Sequence, residues 1–116
     1  MRGFLRMFCL TLATTASGAS AATLVHGYGG RGCPDFLETY RGWETGDERR
    51  VLDYFGYQQW FAGMVTSMSL VMGEDVLRGA EVEGMMRRVR RRCEDDRERD
   101  VFSAANAYLK ELSQLP

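Results

Sequence analysis

Cysteine is where this chain has the most chemistry to offer. Three occur in 116 residues, Cys9, Cys33 and Cys93, and none belongs to the C-x-x-C spacing that a dithiol redox pair or a zinc site uses. The run "RRVRRRCEDD" sets Arg87, Arg88, Arg90, Arg91 and Arg92 around Val89 and ahead of Cys93, Glu94, Asp95 and Asp96. Such a cluster admits three chemistries. It is a handle for phosphate, a set of cations that activates a thiol, or a solvated helix face whose cysteine is tied down elsewhere.

Other chemistry lacks its parts. His26 is the single histidine, so neither a serine triad with a positioned base nor a clustered Cys/His zinc site can be assembled. Sixteen carboxylates permit acid–base pairs, but none stands out by spacing in an apolar pocket. The glycines of "HGYGGRG", His26 to Gly32, follow no strand and lack the G-x-G-x-x-G spacing of a nucleotide loop. The reading is a non-enzymatic protein with no metal and no cofactor.

The chain start decides among the cysteine chemistries. Arg2 and Arg6 precede an apolar stretch from Met7 to Ala16, and small residues then end in Ala19-Ser20-Ala21. A basic end, a short apolar middle and an A-x-A exit form a secretory signal peptide. Residues 1–21 are therefore expected to be removed near Ala21, which places the protein in the periplasm. Removal takes away Cys9, Arg2 and Arg6, leaving 13 basic against 16 acidic residues. Two cysteines in an oxidising compartment are most simply a disulfide, so Cys33 and Cys93 are expected to be bridged.

The elements that position the bridge follow from periodicity. Residues 22–32 read as a flexible glycine-rich lead, and residues 33–116 as one helical domain. Pro34 and Asp35 suit a first helical turn, Phe36, Leu37 and Tyr40 form an apolar edge, and Gly42 is the expected stop. Thr45 to Glu48, "TGDE", has the spacing of a capping box for a long helix ending at Gly73. Its apolar residues, Val51 through Met72, form a stripe broad enough to predict burial on more than one side. Gly56, Gly63 and Ser67 share a face and predict the close passage of another backbone. The uncharged stretch Tyr54 to Met72 carries Gln58, Gln59, Thr66, Ser67 and Ser69, which argues for a core helix and against a stable membrane span.

Val82, Met85, Met86, Val89 and Cys93 make one clean stripe, so the cysteine faces inward and the arginines fan into water. Net acidity and the acids from Glu94 to Asp100 speak against nucleic acid, and burial of Cys93 speaks against a reactive thiol. A last helix is expected from Arg97 to Leu112, with Val101, Phe102, Ala105, Tyr108, Leu109 and Leu112 inward. The fold class is all-α, a small single-domain bundle of four or five helices with one long-range disulfide.

Cys33-Pro34-Asp35-Phe36-Leu37 near the mature start, a central helix, then Val89 to Asp96 and a final helix resemble the HdeA/HdeB acid-stress chaperones. The resemblance covers roughly Cys33 to Leu112 and carries over Cys33 and Cys93 as the disulfide pair. It implies a compact homodimer at neutral pH that opens in acid and binds unfolded client proteins. Trp60, Phe61, Met64, Val65 and Met68 are the residues expected to form that client or partner surface. With its carboxylates protonated below about pH 3, the mature chain would swing from about −3 to near +15. The chain is also similar to the Tai-type immunity proteins of type VI secretion, which implies instead a rigid interface to one secreted cell-wall-degrading effector. An envelope accessory subunit without independent activity is a third reading.

Overall fold

The computed structural model describes residues 24–116. Four helices stand among the described residues: α1, Cys33–Thr45; α2, Glu48–Met72; α3, Val82–Asp95; and α4, Val101–Ser113. A 3-10 turn over Gly27–Gly30 precedes them, and among the described residues the only β-type contact is an isolated bridge between Gly32 and Asp100. The fold class is as the periodicity predicts. None of the described helices is long and apolar enough to cross a membrane.

The boundary between α1 and α2 differs from the expectation. Gly42 does not stop α1; it is buried inside the helix, where an added Cβ would stand 2.6 Å from the Arg50 side chain. The glycine is there to let that arginine lie across α1. The helix ends three residues later at Thr45, capped by Gly46, whose φ of 77° is left-handed and suits a residue without Cβ. Thr45 is not the cap of α2 either. Its hydroxyl donates back to the carbonyls of Arg41 and Gly42, and Asp47 caps instead by accepting from the Arg49 backbone N–H. The Arg49 side chain and that N–H hold the Asp47 carboxyl below its ordinary value, so the cap weakens as pH falls.

At 1.5 Å per residue α2 is about 37 Å long, nearly twice α1, and it overhangs the core. Only Tyr54, Tyr57, Phe61 and Val65 are buried along it, at steps of three and four. Burial on several sides does not occur, because α1 and α3 both approach one flank and nothing covers Leu52, Leu70 or Val71. The passage expected beside Gly56 is made by a side chain, not a backbone. A Cβ there would stand 2.2 Å from the ring of Tyr28, whereas Gly63 faces open space.

Helix α3 buries Met85, Met86, Val89 and Cys93, as its stripe predicts. The arginines divide. Arg87, Arg88 and Arg91 are exposed, but Arg90 lies over the Tyr40 ring at 4.5 Å and pairs with Glu44, and Arg92 pairs with Glu111 of α4. Those two tie α3 to its neighbours and do not fan into water. Helix α4 starts at Val101 and not at Arg97, because backbone bonds from Cys33 to Arg99 and from Val101 to Arg31 fix residues 99–101 against the lead. Asp100 then caps, accepting from the backbone and hydroxyl of Ser103.

The disulfide forms between Cys33 and Cys93, both fully buried, with Cα atoms 5.1 Å apart. It joins the first residue of α1 to the last turn of α3. Beside it Phe36 meets the rings of Tyr40, Tyr57 and Phe61 edge-on at 4.9–5.9 Å, the geometry that aromatic quadrupoles favour.

Candidate protein-binding groove

Past Val65 the core runs out beneath α2, and the helix presents Trp60, Met64, Met68 and Met72 at four-residue steps to a gap facing α4. One end of the gap, about 680 Å³, is walled by Gln59, Trp60, Gly63, Met64, Ser67 and Met68 of α2, by Phe102 and by Leu24, Val25 and His26 of the lead. The other end, about 510 Å³, is walled by Met68, Met72, Val76 and Leu109 together with the polar Glu74, Asp75, Arg78 and Lys110. Met68 and Asn106 line both, so the two volumes form one groove. Unbranched methionine side chains repack readily around differently shaped guests, and apolar grooves of this kind receive protein segments.

Of the five residues expected on a binding surface, the structure places Trp60, Met64 and Met68 together in this groove, half-buried. Phe61 and Val65 point into the core, with 0% and 7% exposure, because they sit on the flank of α2 that α1 and α3 cover. They do not line the groove in this structure.

The far wall is held by a polar contact. Arg78 takes φ of 53°, followed by Gly79 at 87°, and its guanidinium donates to the carbonyls of Leu112, Leu115 and Pro116. A cation on the unsatisfied carbonyls of a helix end suits the local dipole. Asp75 fixes that loop by accepting from the backbone N–H groups of Leu77 and Gly79.

The near wall is the glycine-rich lead, and it is seated rather than loose. The Trp60 indole N–H donates to the His26 carbonyl at 3.0 Å, and Gly29 lies against the indole so closely that a Cβ would be 2.0 Å from its ring. Tyr28 packs on Gly56 and on the Tyr57 ring, and its hydroxyl donates to Asp53 at 3.0 Å. Arg31 stacks over Tyr28 at 4.1 Å and pairs with Asp35 and Asp53. Arg50 joins the same two carboxylates and Glu38, which closes a lattice across the lead, α1 and α2. Tyr57 donates to Asp35 at 2.6 Å from beneath.

This lattice went unpredicted. Its sequence signal was slight: two glycines, Gly29 and Gly56, each opposite an aromatic side chain far away in the chain. His26, expected to have no ligand role, enters only through its backbone carbonyl. No group of metal-binding side chains occurs among the described residues.

Compared with protein-family models, with curated proteins and with solved structures, the chain finds no match. The groove and its lattice therefore rest on this chain's own residues.

Two predictions follow from the lead. Gly29→Ala drives a methyl into the Trp60 ring and should cost about 1–3 kcal/mol, the range for overpacking a close contact. Gly63→Ala, with open space around it, serves as the control and should stabilise by up to about 1 kcal/mol through helix propensity. Equal thermal shifts for the two variants would contradict the seating of the lead.

The second prediction is alkaline. Burial, then the hydrogen bond to Asp35 and that group's charge, push the Tyr57 phenol well above its ordinary value. The Tyr28 phenol is also raised, first by its bond to Asp53. A raised folded pKa means the stabilisation is intact below about pH 10, where the unfolded phenols are neutral, and is lost as pH rises beyond it. Denaturant midpoints should thus hold from pH 7 to 9 and fall above 10. Tyr57→Phe should flatten that fall while costing about 1 kcal/mol at neutral pH for the missing hydrogen bond. A midpoint that drops equally in both proteins refutes it.

Proposed function

We propose that this chain is an exported, non-enzymatic helical binding protein that works as an acid-activated periplasmic chaperone. The carrying observation is how the apolar surface of α2 is guarded. The lead and α1 are held against it largely through carboxylates: Asp53 for Tyr28, Asp35 for Tyr57, both for Arg31, and both with Glu38 for Arg50. Glu44 and Glu111 likewise tie α3 to α1 and α4 through Arg90 and Arg92. Once these acids are protonated, the guanidiniums they balanced repel one another. Trp60, Met64 and Met68 then lose the wall at one end of the groove, and Phe61 and Val65 become reachable as the helices part. The Cys33–Cys93 bridge contains no titrating group and keeps the opened chain tethered. The high positive charge keeps a chain with bound client dispersed.

The test is suppression of client aggregation, followed by light scattering from pH 7 down to pH 2. Protection should appear between about pH 4 and 2, together with loss of the near-ultraviolet dichroism of the packed aromatic residues. A chain that keeps its tertiary signal at pH 2, or loses it without protecting any client, refutes the proposal.

A second reading has one observation in its favour. The groove is already open in the folded state, with Met64, Met68 and Met72 presented to a partner. That suits an immunity protein which binds a single cell-wall-degrading effector at neutral pH. Tight binding at pH 7 to an effector encoded beside its gene would establish it, and Met68→Glu would abolish that binding.

A further inference from the structure

One flank of α3 carries charge without a partner. Gly84, Arg87, Arg88 and Arg91 stand at i, i+3, i+4 and i+7, so they share a face, and the three arginines are exposed. Elsewhere Arg31, Arg49, Arg50, Arg90, Arg92 and Arg99 pair with carboxylates, and Arg78 sits on backbone carbonyls. Among the described residues no ion pair uses Arg87, Arg88 or Arg91. Acids of the neighbouring turns are engaged otherwise: Glu83 accepts from Gln58, Glu94 lies beside Arg90, and Glu111 pairs with Arg92. Asp95, one turn beyond Arg91, makes no ion pair either. Like charges three and four residues apart repel, so this face is destabilising until an anion offsets it.

The three side chains converge instead of spreading. With Ala80, Gly84 and Tyr108 they line a pocket of about 300 Å³ between α3 and α4. The Arg87 guanidinium lies back over Gly84, where an added Cβ would be 3.6 Å from its terminal nitrogen. Tyr108 is only 8% exposed, yet its hydroxyl makes none of the side-chain hydrogen bonds of the described residues. The fully buried side-chain atoms lacking a partner among those residues belong to Thr39 and Arg90, so the Tyr108 hydroxyl reaches water. The pocket is where it does so. A phenol buried this far ordinarily finds a partner; here it is a spare donor beside three cations.

We infer that this pocket binds a phosphate monoester dianion, free or as a lipid headgroup, through Arg87, Arg88, Arg91 and the Tyr108 hydroxyl. A guanidinium presents two parallel N–H groups to two oxyanion oxygens, and such charge-assisted bonds are about twice as strong as neutral ones. A terminal phosphate offers three acceptor oxygens and nearly two negative charges at pH 7, which suits several forks at once; a carboxylate offers less of both. A nucleic-acid strand needs cations repeated along its backbone, whereas here Glu94, Asp95 and Asp96 follow the cluster. The pocket shares no lining residue with the groove, so an anion held there leaves the groove open.

The test uses the disulfide-bridged protein at pH 7 without any client, so its failure leaves the chaperone proposal standing. Calorimetric titration with inorganic phosphate should show one-to-one binding that weakens as salt is added. Arg88→Gln and Arg91→Gln should each raise the dissociation constant roughly 10-fold or more. Arg97→Gln removes an exposed cation outside the pocket and should change it less than about 2-fold. Tyr108→Phe keeps the ring and should raise it roughly 3-fold or more. Two further arms separate the sources of the phosphate. Sedimentation with phosphatidic acid vesicles, but not with phosphatidylcholine vesicles, and lost in Arg88→Gln, assigns the pocket to a lipid headgroup. Binding of glycerol phosphate by a protein that both vesicles leave in solution assigns it to a soluble ester. No heat of binding up to about 10 mM phosphate overturns the proposal. So does binding that survives Arg88→Gln, or that Arg97→Gln weakens as much.

Discussion

Replacing Cys33 and Cys93 together by serine removes about 4 kcal/mol of stability, because the bridge closes a loop spanning 60 positions and the open chain regains that entropy. A small domain has only about 5–15 kcal/mol in total, so the variant sits near its unfolding threshold at 37 °C. Denaturant unfolding of the double variant measures the loss, and the reduced wild-type chain should match it. Below pH 3 the consequence is larger. The bridged protein opens while α1 and α3 remain joined, and the variant expands without restraint under its positive charge. If chaperone action depends on a tethered apolar surface, the variant should bind clients in acid yet fail to refold promptly on neutralisation. A variant with wild-type stability would mean that the ion pairs and core hold the helices unaided.

Phe36→Ala is the second large effect. The ring has no solvent exposure and stands among Tyr40, Tyr57 and Phe61, so it is a central buried contact between α1 and α2. Truncation removes the transfer energy of the ring and leaves a cavity among residues that cannot easily close it, for a cost of about 3–5 kcal/mol. Phe36→Leu keeps most of the volume and should recover more than half of the loss. The same cavity loosens Tyr57 over Asp35, so acid opening should start at a higher pH in Phe36→Ala than in the parent. An unchanged acid midpoint alongside the expected stability loss would separate the core from the polar lattice. Trp43→Phe makes a useful comparison, since that indole stacks on Tyr54 at 4.0 Å but remains 38% exposed, and its change should cost little.

Local rules read some parts of this fold well and others poorly, and the division is physical. The inward stripe of α3, Met85, Met86, Val89 and Cys93, was legible, but the roles of Arg90 and Arg92 were not, because their partners Glu44, Tyr40 and Glu111 come from other helices. The disulfide followed from counting cysteines once export was assumed. The turn between α1 and α2 was misread because Gly42 and Thr45 satisfy local signatures of a stop and a cap, while the Arg50 side chain crossing α1 settles what Gly42 is for. Residues 24–32 looked loose because glycine raises backbone entropy. What seats them is tertiary: indole on Gly29, phenol on Gly56, and two aspartates on two different helices. No window along the chain contains that arrangement. The groove was half legible. Trp60, Met64 and Met68 were identified as a surface, but Phe61 and Val65 were grouped with them because a stripe records spacing and not which neighbour arrives.

The two indoles sit at two separate contacts of the fold. Trp43 rests on Tyr54 where α1 turns into α2, and Trp60 lies beneath the lead with its N–H on the His26 carbonyl. Each therefore emits from a different contact. With Trp43→Phe and Trp60→Phe as complementary single-emitter proteins, stopped-flow fluorescence after an acid jump becomes a clock with two hands: it times whether the strap lifts before the helices part.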